Sequence, residues 1–162
     1  MKKVIFLLGG HDLEMSEIRN MLEENAVQYF DRSLSWSNAN LKEYAQELDL
    51  YGNKEDISLY GIELQEKGYH PIPSNYTRID HHNEMSSRPA SILQVAAVID
   101  IPVSRYRQLI AANDTGYIPG MACLGATPDE INAIRLLDRE AQGVTVKDKE
   151  LERIRTINHK IF

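Results

Sequence analysis

Four groups of acidic or imidazole side chains in this sequence have the residue types that bind metal ions. They are Asp12 with Glu14, Glu63, the run Asp80-His81-His82, and Asp114. Each group alone has a simpler explanation, because acids favour the first turn of a helix and short polar runs form solvated turns. Each group nevertheless follows a predicted strand or lies in a predicted turn. A carboxylate beside two imidazoles suits a borderline divalent ion such as Mn²⁺, so the pattern predicts a metal site.

Apolar runs and helical spacing predict the elements that would position these side chains. Strands are predicted over residues 3–8, 27–30, 57–64 and 76–79, and helices over 14–24, 38–48, about 89–101, a short segment after Ser104, 127–143 and 147–159. Residues 113–116 are predicted as a turn. Thr127, Pro128 and Glu130 predict a capped helix start. Because strands alternate with helices, we expect an α/β fold with a mostly parallel sheet flanked by helices.

Length and composition are those of one globular domain. The chain has 162 residues, of which 43% are hydrophobic and 26% are charged, and such a chain can bury a sizeable core. We therefore assign residues 1–143 to a single α/β domain. Residues 144–162 are predicted as a charged C-terminal helix, either part of the same domain or the start of a linker to a further domain. Its narrow apolar stripe consists of Leu151, Ile154 and Ile157.

The charge and the cysteine content narrow the function. A net charge of -6 disfavours non-specific binding to long nucleic acid and favours a small phosphorylated substrate or a short oligonucleotide. The single cysteine, Cys123, makes no intramolecular disulfide. The apolar run after Lys3 is shorter than a secretory signal, and no stretch approaches the roughly 20 apolar residues of a membrane span. We predict a cytoplasmic protein that makes no membrane contact.

The order and spacing of the four groups resemble the motifs of the DHH phosphoesterase superfamily. The third motif of that family stands intact as Asp80-His81-His82, and the fourth as Asp114-Thr115-Gly116. The resemblance covers roughly residues 3–116. The first motif departs from the family pattern His-x-x-x-Asp-x-Asp, since Leu8 stands where its histidine should be and a glutamate at 14 replaces its second aspartate. The second motif also carries a glutamate, at position 63, in place of aspartate.

What the resemblance implies is a DHH-like domain that hydrolyses phosphoester or phosphodiester bonds with two Mn²⁺ or Mg²⁺ ions. The implied metal ligands are Asp12, Glu14, Glu63, His81 and Asp114. Glu63 would bridge the two metals, Asp12 would bind one of them, and the remaining three ligands would bind the other. The altered motifs also fit a shifted site, a site for one metal, or a site that has been lost.

The same resemblance implies roles for side chains around the metals. His82 would face the phosphate, and Asp80 would orient an imidazole. Arg88 is a candidate phosphate clamp because a guanidinium group binds two phosphate oxygens at once, although a solvated cation at a helix start explains it equally well. Asn83 and His11 are weaker candidates for substrate contact.

Two other kinds of function stay open at this point. A degenerate DHH-like domain would bind a metal or a nucleotide without turnover and act as a regulatory module, which the altered first motif favours. An interaction domain would instead use the charged C-terminal helix for docking or self-association into a homo-oligomer. Turnover with Mn²⁺ separates the enzyme from the regulatory module, and stabilisation by metal separates both from the interaction domain.

Overall fold

A four-stranded parallel sheet forms the centre of the protein, in the order β2-β1-β3-β4. The computed structural model describes residues 2–143. The strands are β1 (Lys3–Leu8), β2 (Gln28–Asp31), β3 (Ile57–Ile62) and β4 (Tyr76–Ile79). All three strand pairs are parallel. With helices on both faces, this sheet confirms the predicted α/β fold.

Within residues 2–143, five α-helices accompany the sheet. They are α1 (Leu13–Glu24), α2 (Ala45–Tyr51), α3 (Ser91–Val98), α4 (Arg105–Cys123) and α5 (Pro128–Ala141). The predicted start of α5 is confirmed, because the Thr127 side chain accepts from the backbone of Glu130 and the Glu130 side chain accepts in return. No helix among residues 2–143 is long and apolar enough to cross a bilayer. The helix predicted over 147–159 and the assignment of 144–162 lie outside the described residues.

Alternation along β1 sends side chains to both faces of the sheet. Phe6 and Leu8 pack with α1 and α3 on one face, and Ile5 and Leu7 pack against Tyr44 and its neighbours on the other. A third apolar cluster joins α4 and α5 to the start of α1. All four of these β1 side chains are fully buried, as expected for a central parallel strand. The sheet is therefore rigidly held where its strands end.

The predicted helix over 38–48 is wrong in its first half. Two short 3₁₀ turns, Trp36–Asn38 and Leu41–Tyr44, precede α2. Between them the backbone pairs with the chain that leaves β3, since Leu41 N–H donates to Gln65 and Gln65 N–H donates to Ala39. This tertiary pairing competes with helical hydrogen bonds and places Trp36 near the end of the sheet.

The turn predicted over 113–116 is also wrong. These residues belong to α4, which departs from helical geometry only at Tyr117, where φ is 52°. Asn113 is buried, and its side-chain amide donates to Asp138 of α5. Thr115 donates to the carbonyl of Ala111. Packing against α5 thus keeps a turn-forming sequence helical, and Pro119 follows just beyond the break.

Candidate metal centre

The candidate centre lies where the strand order reverses. From β1 the chain moves outward to β2 and then returns to β3 on the other side of β1. In open α/β sheets this reversal leaves a crevice at the carboxyl ends of the strands, where ligands bind. The acids of α1 follow β1, Glu63 follows β3, and Asp80-His81-His82 follows β4. Asp114 reaches the same crevice from α4.

Three of the predicted metal ligands could hold one metal ion together with His82, which was predicted to face the phosphate. The four side chains are Glu63, His81, His82 and Asp114, whose potential ligand atoms all lie within 4.8 Å of one another. An octahedral ion with ligand distances of roughly 2 Å places opposite ligands roughly 4 Å apart. The spacing therefore fits a single divalent ion, and two carboxylates with two imidazoles form a coherent donor set.

His81 is the centre of this cluster. Its Nε2 atom lies 2.6 Å from Oδ2 of Asp114, 3.3 Å from Oε1 of Glu63 and 3.6 Å from Oε1 of Glu14. Despite these distances, Nε2 of His81 and Oδ2 of Asp114 both lack a partner with hydrogen-bond geometry among residues 2–143. Three carboxylate oxygens thus lie around one imidazole nitrogen, as the ligand atoms of a shared cation would.

Each buried glutamate is held by one oxygen and leaves the other unpaired. Oε2 of Glu14 accepts from the backbone N–H of Ile92, and Oε1 of Glu63 accepts from the hydroxyl of Ser91. Within the described range 2–143, Oε1 of Glu14 and Oε2 of Glu63 have no hydrogen-bond partner. An unpaired buried carboxylate oxygen is costly, so these atoms need a compensating charge. The start of α3 thus fixes both glutamates while leaving one oxygen of each available.

Burial and the neighbouring carboxylates shift the pKa values of several groups in and around the cluster. Burial raises the pKa of Glu14 well above its usual range, with the charges of Glu63 and Asp114 adding to the effect. Burial and the charge of Glu63 raise the pKa of Asp12 to about 7. Burial lowers the pKa of His81, but the nearby carboxylates of Asp114, Glu14 and Glu63 outweigh this effect and raise the pKa to about 12. The centre therefore attracts positive charge.

Asp80 holds the loop that carries both histidines. Its Oδ1 accepts from the backbone of His81 at 2.8 Å, the backbone of His82 at 3.1 Å and Nδ1 of His82 at 2.9 Å. Its Oδ2 accepts from Arg78 at 2.7 Å. Burial works against ionisation of Asp80, yet the hydrogen bonds from Arg78 and His82 keep its pKa below the usual value. With Nδ1 engaged, His82 retains Nε2 for another contact.

Four further predicted site residues are not among the four clustered side chains. Asp12 caps α1 by accepting from the backbone of Met15 at 2.9 Å, and it is not one of the four clustered ligands. Arg88 is exposed and lines a separate cavity. His11 is exposed, and its ring contacts the carbonyl of Leu34 at 3.1 Å. Asn83 lines a cavity beside His82.

Two residues that support the centre, Arg78 and Asp138, were not predicted from the sequence. Arg78 stands in a strand with nothing to mark it as the partner of Asp80. Asp138 looks like a surface acid of α5, yet its carboxylate accepts from the backbone of Leu13 and from the amide of Asn113. It therefore joins α5 to the start of α1 and to the residue before Asp114. Hydrophobic spacing could have indicated that Asp138 lies beside the buried face of α5, but not what it binds.

Comparisons with protein-family models, with curated proteins and with solved structures gave no significant match.

Proposed function

We propose that this chain is a metal-dependent hydrolase of phosphoester or phosphodiester bonds, acting on small phosphorylated substrates or short oligonucleotides with Mn²⁺ or Mg²⁺. The observation that carries the proposal is the convergence of three carboxylate oxygens, from Glu14, Glu63 and Asp114, on Nε2 of His81. It is supported by the resemblance of Asp80-His81-His82 and Asp114-Thr115-Gly116 to the DHH phosphoesterase motifs.

The residues divide into those that bind the ion and those that position them. Glu63, His81, His82 and Asp114 would hold it, with Glu14 next to them. A bound divalent ion supplies an activated water at neutral pH and stabilises charge on a phosphoryl oxygen. Glu63 has φ 56°, a backbone strain of the kind that occurs at functional sites.

His82 is the best placed residue for contact with substrate. Its side chain is 42% exposed, whereas that of His81 is only 4% exposed. The bond from Nδ1 to Asp80 fixes the ring and keeps a proton on that nitrogen. Nε2 is then available either as the fourth ligand of the ion or, where the other three side chains hold the ion, for contact with a phosphate oxygen. Arg88 remains a candidate clamp only if substrate extends toward its separate cavity.

A metal- or nucleotide-binding regulatory domain without turnover is the second candidate. It is favoured by the position of Asp12, because one of its oxygens is used as a helix cap and the four clustered ligands fit one ion. A two-metal mechanism needs more ligands than this group offers. Binding and turnover therefore have to be measured separately.

The test uses metal-stripped protein in two steps. Mn²⁺ at 100 times its Kd should add about 2.7 kcal/mol and raise the Tm by roughly 5–10 °C. Asp114→Ala and His81→Ala should lose this shift, and Asp129→Ala, an exposed acid of α5, should keep it. Hydrolysis of bis(4-nitrophenyl) phosphate is then followed with each protein. No shift in the wild type contradicts the proposal, and a shift without turnover favours the regulatory domain.

A further inference from the structure

A cavity of about 330 Å³ opens beside the metal centre. Its polar wall includes Glu63, Asp80 and His82, and its other walls include Trp36, Gln65 and Asn83. A volume near 300 Å³ is at the lower end of the range for small-ligand sites. The wall contains Glu63, a residue that is only 3% exposed and has an unpaired Oε2 atom.

Trp36 is unusual in being a large aromatic side chain with a relative exposure of 52%. The edge of its indole meets the ring of His82, with centroids 5.8 Å apart and an interplanar angle of 81°. It also lies over Gly10, where an added Cβ would stand 3.7 Å from the ring. The indole thus contacts His82 and Gly10 at the mouth of the cavity, while about half of its surface stays exposed.

The remaining polar side chains of the cavity suit the edge of a nucleobase. Gln65 and Asn83 are exposed, and their amides have no hydrogen-bond partner within residues 2–143. Each amide offers both donors and an acceptor, as does a base edge. Inorganic phosphate chains present only acceptors and no flat apolar surface, so they would leave the indole and the carbonyl acceptors of the two amides unused.

We propose that this cavity binds the nucleobase of a nucleoside phosphate, with the base stacked on Trp36 and the phosphate directed toward His82 and the metal centre. This inference rests on the proposed function for the position of the phosphate. It narrows the substrate class from phosphoesters in general to nucleotides or short oligonucleotides. Trp36 is then a specificity residue for the base.

The test compares two ligands that differ only in the base, adenosine 5′-monophosphate and ribose 5-phosphate. Stacking of one base on an aromatic residue corresponds to about tenfold in affinity or more. Calorimetry with wild-type protein should show at least this preference for the nucleotide. Trp36→Leu should remove the preference, and Trp36→Phe should retain most of it. Since Trp36 is the single tryptophan of the sequence, the nucleotide should also change the protein's tryptophan fluorescence and ribose 5-phosphate should not.

The outcomes separate this inference from the proposed function. Equal affinity for the two ligands in the wild type overturns the base site, whatever Mn²⁺ does. A preference that survives in Trp36→Leu also overturns it, because the base is then bound elsewhere. Each titration is repeated with and without Mn²⁺. A Trp36-dependent preference in a protein that binds no Mn²⁺ supports the base site while contradicting the hydrolase.

Discussion

Oε1 of Glu14 lies 3.6 Å from Nε2 of His81, and neither atom has a hydrogen-bond partner in the part of the chain that the structure describes. Both side chains are almost fully buried. A packed interior ordinarily pairs such atoms, because an unpaired buried polar group costs about 1–3 kcal/mol. The arrangement is therefore poorly suited to stability alone and well suited to binding a cation.

Neutralising Glu14 should separate stability from metal binding. Glu14→Gln replaces a buried carboxyl group that is costly to ionise beside other acids, so the metal-free protein should be as stable as wild type within about 1 kcal/mol, or more stable. The rise in Tm on adding Mn²⁺ should fall by at least half. The matched control is Glu17→Gln on the same helix, because Glu17 is buried but paired with Arg107 at 3.0 Å. Glu17→Gln should lower the stability of the metal-free protein and keep the rise in Tm on adding Mn²⁺. If Glu14→Gln keeps that rise and Glu17→Gln loses it, Glu14 has no role in metal binding.

Gly9 sets the distance between the ends of β1 and β3. A Cβ at Gly9 would lie 2.8 Å from the carbonyl oxygens of Ile62 and Glu63. Because backbone cannot yield as a flexible side chain can, Gly9→Ala should cost about 1–3 kcal/mol, displace Glu63 and weaken Mn²⁺ binding. Gly116→Ala is the control, since nothing lies within 4 Å of its added Cβ, and it should not lower the Tm. Chemical denaturation and Mn²⁺ titration check both, and a neutral Gly9→Ala would refute the argument.

Asp138 should affect the affinity for Mn²⁺ although it is not one of the candidate ligands. Its oxygens accept from the backbone of Leu13 at 3.3 Å and from the amide of Asn113 at 3.1 Å, which lie next to site residues on α1 and α4. Residues that orient metal ligands typically change metal affinity by about 10–100-fold, so Asp138→Ala should weaken Mn²⁺ binding by at least tenfold. Asp129→Ala removes the same charge from the exposed start of α5 and should leave the affinity unchanged. Similar affinities in both variants would assign Asp138 a purely structural role.

The pair Arg105 and Glu130 should make α5 sensitive to acid. The guanidinium donates to both oxygens of Glu130, at 2.9 and 3.0 Å, and these bonds hold the pKa of Glu130 below its usual value. A carboxylate with a lowered pKa stabilises the fold above its unfolded pKa of about 4.3 and loses that contribution as the pH falls through its folded value. Wild type should therefore melt above Glu130→Gln at pH 7, and the gap should close below about pH 4.

The control for this pH effect is Glu55→Gln, an exposed acid before β3. It should melt with wild type throughout the pH range. Thermal melts from pH 3 to 7 provide the comparison. A gap for Glu130→Gln that does not change with pH would show that the carboxylate contributes through packing or capping alone.

The sequence by itself determined the strands, the capped start of α5 and three of the four clustered side chains as candidate metal ligands, Glu63, His81 and Asp114; it assigned the fourth, His82, to contact with phosphate. Apolar runs predict the strands, and hydrogen bonds between residues close in sequence predict the cap. Both can therefore be recognised in short stretches of the sequence. The ligands were recognisable because acids and imidazoles followed predicted strands, and parallel strands bring their carboxyl ends to one edge. These inferences needed no knowledge of long-range contacts.

Only the tertiary structure decided which candidates share a site and what supports them. It kept Asp114 on a helix because Asn113 is bound by Asp138, which lies 25 residues away in the chain. In the tertiary structure, residues 39–41 form backbone hydrogen bonds with Gln65 instead of the first half of the helix predicted over 38–48. This pairing places Trp36 against His82. The tertiary structure also left Arg88 beside a different cavity. Each of these outcomes depends on contacts between distant segments, and no local pattern of residue types encodes them.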